Sequence, residues 1–250
     1  MPFTFAHPAI LFPLRWVNKK YISLTGLVIG SMAPDFEYFI WMSPNADISH
    51  SVKGILLFNL PITFLLAFVF HIVIKKTLLY HSPFINQRLL NPSFDFTAYF
   101  KRKWMVFTIS ALIGIVTHLV WDGFTHAHGH FVQTNSYLHQ KVNMGAIEIR
   151  RCYIAWYLSS IIGLFIVIRY LLNLKKIFSK KTCSLLPKSF WHYWLSILLV
   201  AIVLAVVRIF WGLTWNWFRH IIIISIASLM YSLVIVSIME NRRITRNPIT

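Results

Sequence analysis

A chain of 250 residues that is 57% hydrophobic and only 12% charged, with 21 Phe and 10 Trp, has more apolar surface than a soluble core of this size can hide. Its net charge of +17 calls for anionic surroundings. No aromatic-interleaved basic motif accompanies that charge, which argues against nucleic acid and for the bilayer and its anionic headgroups as partner.

In chain order, "MPFTFAHPAILFPLRW" has three prolines and no basic residue ahead of its apolar stretch, so it does not read as a secretory signal. "YISLTGLVIGSMAPDFEYFIWM" (21–42) is long enough to span. However, Gly26, Gly30, Pro34, Asp35 and Glu37 make it a poor uniform lipid helix. A helix through about Ser31 or Met32, a break at "APD" and entry only partway into the membrane are expected. Five runs then approach or reach the roughly 20 apolar residues that cross a bilayer: 55–74, 104–121, 153–172, 194–213 and 221–239. They lack strict alternation, so they read as helices and not as barrel strands. The expected fold class is therefore all-α: a multi-pass helical membrane protein with about five long transmembrane helices plus a broken or re-entrant N-terminal helix. Residues 1–165 read as a motif-bearing membrane domain, and 166–250 as further transmembrane helices of the same domain. The segment 75–103, with Pro83 and Pro92, reads as irregular. Cys152 and Cys183 fall on opposite sides of the third run, which argues against an intramolecular disulfide.

Alternating the five runs across a membrane sorts the charges. Lys75, Lys76, Arg88, Lys101, Arg102 and Lys103 share one side with Lys175, Lys176, Lys180, Lys181 and Lys188, and with Arg242, Arg243 and Arg246. The other side has only Lys53, Lys141, Arg150, Arg151 and Arg219. The positive-inside rule then puts 75–103, 174–190 and the C-terminus in the cytoplasm. The poorly basic side collects Asp35, Glu37, Asp47, Asp122 and Glu148, and carboxylates at membrane depth suggest function.

Within "THLVWDGFTHAHGH" (117–130), His118 and Asp122 are spaced i, i+4 and share a helix face. Aspartate and neutral histidine are ligands for zinc and similar divalent ions. His126 continues that face if the helix survives Gly123, whereas His128 and His130 flank Gly129 and read as loop. Structural readings compete at each position. His118 and Asp122 suit a hydrogen-bonded pair near the headgroups, Asp35 suits the cap of a helix over Phe36–Trp41, and Ser49 or His50 suits the cap of the first long span.

"MPFTFAHPAILFPL", "GSMAPDFEYF", "SHS" and "GIVTHLVWDGFTH" together resemble the DUF4184 family of bacterial membrane proteins of uncharacterised function, across most of residues 1–165. More remotely, the order His, "PD", "HS", "G-x-x-T-H-x-x-x-D" is similar to the YdjM-type membrane-bound metal-dependent hydrolases and to the zinc-dependent phospholipase C fold. That resemblance implies metal ligands at His7, Asp35, His50, His118 and Asp122, with His126 auxiliary, a divalent metal such as zinc as cofactor, and hydrolase chemistry. It implies a bridging or general-base role for Asp35, with Ser49 and Ser51 orienting ligands. His139 and Glu148 stand where the phospholipase pattern has a His and a Glu on one helix, but their spacing departs from it. A site at the extracytoplasmic membrane face suits a lipid or lipid-linked phosphoester. The alternative is a non-enzymatic protein, a small transporter or a lipid-binding scaffold. If 21–42 fully spans, His7 can join the others only if residues 1–20 fold back into the membrane as a hairpin; if 21–42 is re-entrant, His7 can join them directly.

Overall fold

The structure, a computed structural model, describes residues 3–18, 20–82, 94–145, 147–173, 188–213 and 217–246. It is almost wholly helical, and among the described residues five helices are long and apolar enough to cross a membrane, as the runs of hydropathy require. They begin and end beyond the apolar runs that mark them: Val52–His81, Phe96–Thr134, Arg151–Asn173, Phe190–Phe210 and Trp217–Ile244. The segment 75–103 is accordingly less irregular than its prolines suggest. It is helical over Lys75–His81 and again from Phe96, while residues 83–93 lie outside the described residues, as do 174–187 and Cys183.

The chain divides into two units. The first comprises Met1–Asp35, Asp47–Thr63 and Arg102–Asn173. Its N-terminal Thr4–Trp16 winds as a 3₁₀ helix, with Pro8 and Pro13 inside it. It packs along α7 (Arg151–Asn173): Phe3 N–H donates to Ser160 Oγ at 3.0 Å, and Phe12 stacks on Tyr170. α1 (Leu24–Gly30) starts on Ser23, whose hydroxyl accepts from Gly26 N–H, and then gives way to a 3₁₀ turn, Ala33–Asp35. The broken reading of 21–42 therefore holds, with the break at "APD".

α1 lies against α4 (Phe96–Thr125) at a spacing that glycine permits. A Cβ on Gly114 would sit 2.4 Å from the Leu27 carbonyl oxygen, and one on Gly30 2.4 Å from that of Ala111. Small residues let helix backbones meet this closely in apolar surroundings. The contact sets the height of Ser31 against His118.

α3 (Val52–His81) is α-helical apart from two π-helical stretches, Ile55–Asn59 and Val69–Ile74. In the first, Leu60 N–H reaches back five residues to Ile55 O. Pro61 follows and has no N–H to offer the turn behind it, so a widened turn there avoids part of the mismatch. The cap of α3 is Ser51, not Ser49 or His50: Gly54 N–H donates to Ser51 Oγ at 3.0 Å.

α5 (His130–Thr134) and α6 (Ser136–His139) lead into a hairpin of β1 (Lys141–Met144) and β2 (Ile147–Arg150), with Gly145 at φ 69° in its turn. Glu148 pairs there with Lys141 at 2.6 Å on the exposed strand face. His139 ends a one-turn helix and Glu148 lies in a strand, so the two do not share a helix face.

On α7, Tyr157, Ile161, Phe165, Ile168 and Leu172 form an exposed stripe that repeats every three or four residues. That is the pattern of a helix facing lipid.

The second unit comprises Phe36–Ala46, Phe64–Lys101 and Leu174–Thr250. α2 (Phe36–Trp41) ends at Met42, whose carbonyl accepts from His220 Nε2 at 2.8 Å. α8 (Lys188–Phe210) and α9 (Trp217–Arg246) pair through Tyr193, Ile197 and Val236. Beside them Thr77, Tyr193 and Ser237 form a closed hydroxyl network at 2.9–3.3 Å, and His81 stacks on Tyr193 with its Nε2 3.3 Å from Glu240 Oε1. Arg208 donates to Gly212 O at 2.9 Å and so closes the end of its own helix.

Candidate metal site

Every site position read from the sequence lies in the first unit. His118 and Asp122 are on α4, within two turns of its last residue, Thr125. The helix does survive Gly123, so His126 follows immediately after it. Asp35 ends the 3₁₀ turn, and His50 stands two residues before α3. His7 comes from the N-terminal 3₁₀ helix.

These elements bring four donor atoms together. One ligand atom from each of Asp35, His50, His118 and Asp122 lies within 4.8 Å of all the others, so the four can hold a metal ion. The individual separations are informative. His118 Nε2 is 3.4 Å from Asp122 Oδ2 and 3.5 Å from Asp35 Oδ1. His50 Nε2 is 3.4 Å from Asp122 Oδ2 and 3.8 Å from Asp35 Oδ1. Nitrogen–oxygen hydrogen bonds are shorter, at about 2.7–3.2 Å. Two donors that share one tetrahedral ion at about 2.0–2.2 Å stand roughly 3.4 Å apart.

Asp35 and His118 are fully buried and Asp122 is 6% exposed, yet neither carboxylate oxygen of Asp35 or Asp122, nor His118 Nε2, has a hydrogen-bond partner among the described residues. Buried polar atoms are rarely left this way, because each unsatisfied group costs about 1–3 kcal/mol. A cation held among them would supply what they lack. The capping reading of Asp35 fails for the same reason: its carboxylate turns toward the histidines and not back to the N–H groups of α2.

The imidazoles are oriented from behind. His118 Nδ1–H donates to Ser31 O at 2.7 Å, which leaves the Nε2 lone pair for the cluster. His50 Nδ1 is held by Ser49 Oγ at 2.9 Å. Asn59, on the first π-helical stretch, donates to Ser49 O at 2.7 Å and so fixes the loop that carries His50. That loop also crosses over Gly54, where a Cβ would lie 1.9 Å from Ile48 O. Of the two serines expected to orient ligands, Ser49 does so, while Ser51 caps α3. Ser31 and Asn59 escape sequence reading. Ser31 acts through its backbone carbonyl, which any residue carries, and Asn59 looks like a flaw in an apolar run.

Two more imidazoles flank Asp122 on its other oxygen. His7 Nε2 is 3.6 Å from Oδ1 and its ring stacks on His118 at 3.7 Å, and His126 Nδ1 is 3.7 Å from Oδ1. The N-terminal helix thus brings His7 to the same cluster as Asp35. Burial and the adjoining His118 push the His7 pKa down to about 3, so its ring is neutral. Burial also disfavours the charge on Asp35, but His118 beside it outweighs this and holds the carboxyl below its ordinary pKa. His126 Nδ1 donates to Asp122 O at 3.0 Å. His128 and His130 are outside the cluster.

Neither the curated proteins nor the solved structures contain a match to this chain. A family model described as a domain of unknown function, DUF4184, matches residues 1–238, and the chain therefore belongs to the DUF4184 family.

Proposed function

We propose that the protein is a metal-dependent hydrolase of the membrane surface, with zinc held by Asp35, His50, His118 and Asp122, and a lipid or lipid-linked phosphoester as substrate. The observation that carries the metal reading is the set of His–Asp separations of 3.4–3.8 Å, around buried Asp35, Asp122 and His118 whose carboxylate oxygens and Nε2 have no hydrogen-bond partner among the described residues. Two carboxylates and two imidazoles form a mixed O/N set suited to zinc. Bound there, such an ion polarises a phosphoryl or acyl oxygen and activates water at neutral pH.

The rest of the reading assigns roles to the chain's own groups. Asp35, ionised and buried, orients and accepts a proton from the attacking water as general base. His7 and His126 complete the surroundings of Asp122 as auxiliary ligands. His50, the most exposed of the four at 24%, marks the side from which substrate enters. The placement of the donors supports a reaction at one membrane face. Asp122 is three residues from the end of α4 and His50 precedes α3, so both lie within about 5 Å of a helix end along its axis. A transporter would instead gather such groups near the midplane. With the basic segments in the cytoplasm, this face is extracytoplasmic.

The test is the metal content of the purified protein beside Asp35→Ala, His50→Ala and His118→Ala. Stoichiometric zinc in the wild type, lost from each variant, is expected, together with phosphoester hydrolysis that a chelator stops and zinc restores. Folded wild type with no bound metal overturns the site. Bound metal without turnover on any lipid phosphoester overturns the hydrolase and leaves the site standing.

A further inference from the structure

A cavity of 510 Å³ in the second unit is lined by none of the metal-site residues and falls within the range of about 300–1,000 Å³ typical of ligand pockets. Its lining combines Lys75, Lys76 and Tyr80 with Ile72, Leu79 and Ile244. Lys75 is the unusual member. It sits within a long apolar helix and is only 6% exposed, yet it makes no ion pair among the described residues. One of its three N–H groups donates to Phe94 O at 2.9 Å. The carboxylate in its field, Asp95, is engaged elsewhere, accepting from Ala98 N–H at the start of α4. An ammonium on the cavity wall with donors to spare, next to a second, exposed lysine, suits an anion.

We infer that this cavity binds an anionic phospholipid, with the headgroup phosphate on Lys75 and Lys76 and an acyl chain along Ile72 and Leu79. Charge complementarity selects the phosphate. The apolar wall selects a lipid over a free anion: Ile72 is 57% exposed on a helix of membrane-spanning length, so the cavity continues into a surface that faces hydrocarbon. The two lysines also belong to the basic side of the chain, where anionic headgroups gather. The site is independent of the metal reading.

The experiment places the full-length protein in nanodiscs containing equal parts of phosphatidylglycerol and phosphatidylcholine, and reads retained lipid by native mass spectrometry. Wild type is expected to retain phosphatidylglycerol in clear preference. Lys76→Gln, an exposed change that leaves the packing alone, lowers that preference about fivefold, and Lys75→Gln with Lys76→Gln lowers it by about fivefold again. Leu79→Trp, which fills the apolar wall with both lysines intact, reduces retention of either lipid. Equal retention of the two lipids by wild type, or an unchanged ratio in Lys76→Gln, overturns the inference. So does displacement of the lipid by excess soluble glycerol phosphate, which would assign the cavity to a free phosphate.

Discussion

Each unit buries polar side chains among apolar helices, and the two do so in opposite ways. In the second unit, Thr77, Tyr193 and Ser237 stand 2.9–3.3 Å apart and exchange hydrogen bonds, so the network is closed by its own protons. In the first, each of His50 and His118 stands 3.4–3.8 Å from both Asp35 and Asp122, and the two carboxylates have no protons to share. The chemistry of the groups explains the contrast. A hydroxyl both donates and accepts, so three of them can satisfy one another, whereas ionised carboxylates only accept. Carboxylates gathered this way can hold a cation. The lesson is that spacing and donor balance, more than burial, separate a structural polar network from a binding site.

The largest expected effect breaks the first cluster. Asp122→Ala removes the residue whose two oxygens face four histidines, and metal binding should vanish. With metal at a thousand times its dissociation constant, the lost stabilisation is about 4 kcal/mol. Thermal unfolding with and without chelator reads it: wild type should drop on chelation, and the variant should not respond. Equal chelator sensitivity in the two proteins would remove the basis of the comparison.

Next comes the scaffold that sets the spacing. Gly114→Val places side-chain atoms against the Leu27 carbonyl and must push α1 from α4. Overpacking of this kind costs about 1–3 kcal/mol. Ser31 would move with α1 and loosen its hold on His118, so metal affinity should fall together with the melting temperature. A variant that melts lower but binds metal as tightly would show that the α1–α4 contact does not set the donor spacing.

A comparable or smaller effect is expected from Ser49→Ala, which keeps every ligand and removes only the hydroxyl behind His50. Partners of this kind typically contribute about 10–100-fold to metal affinity. Titration with a competing chelator measures it, and Ser49→Thr should restore most of the loss. An unchanged affinity would mean that Asn59 and the tight crossing at Gly54 orient His50 without the hydroxyl.

Much of this was legible in the sequence, for identifiable reasons. Five spans follow from hydropathy over roughly 20 residues, a signal that tertiary context rarely overrides. His118 and Asp122 could be placed on one face because i, i+4 spacing on a helix is geometry. The break at Asp35 was visible in Pro34, but the direction of its carboxylate was not, because capping and ligation require the same residue in the same place. Ser51 and Ser49 show the same limit: both flank His50, and only the path of the loop decides which one caps and which one orients. The hairpin at 141–150 was hidden by its brevity and by flanking polar residues that also suit a loop.

The smallest expected effect tests the second unit. Tyr193→Phe removes one hydroxyl from the closed network and leaves the ring that packs on His81. Thr77 and Ser237 still reach each other at 2.9 Å, so neither is stranded. The cost should be close to one ordinary hydrogen bond, about 1 kcal/mol. Metal content and the response to chelator should not change, because the network holds itself together without an ion. If chelation instead destabilised Tyr193→Phe more than wild type, the hydroxyl network would be coupled to the metal site, and the division between a self-satisfied cluster and a cation-dependent one would fail.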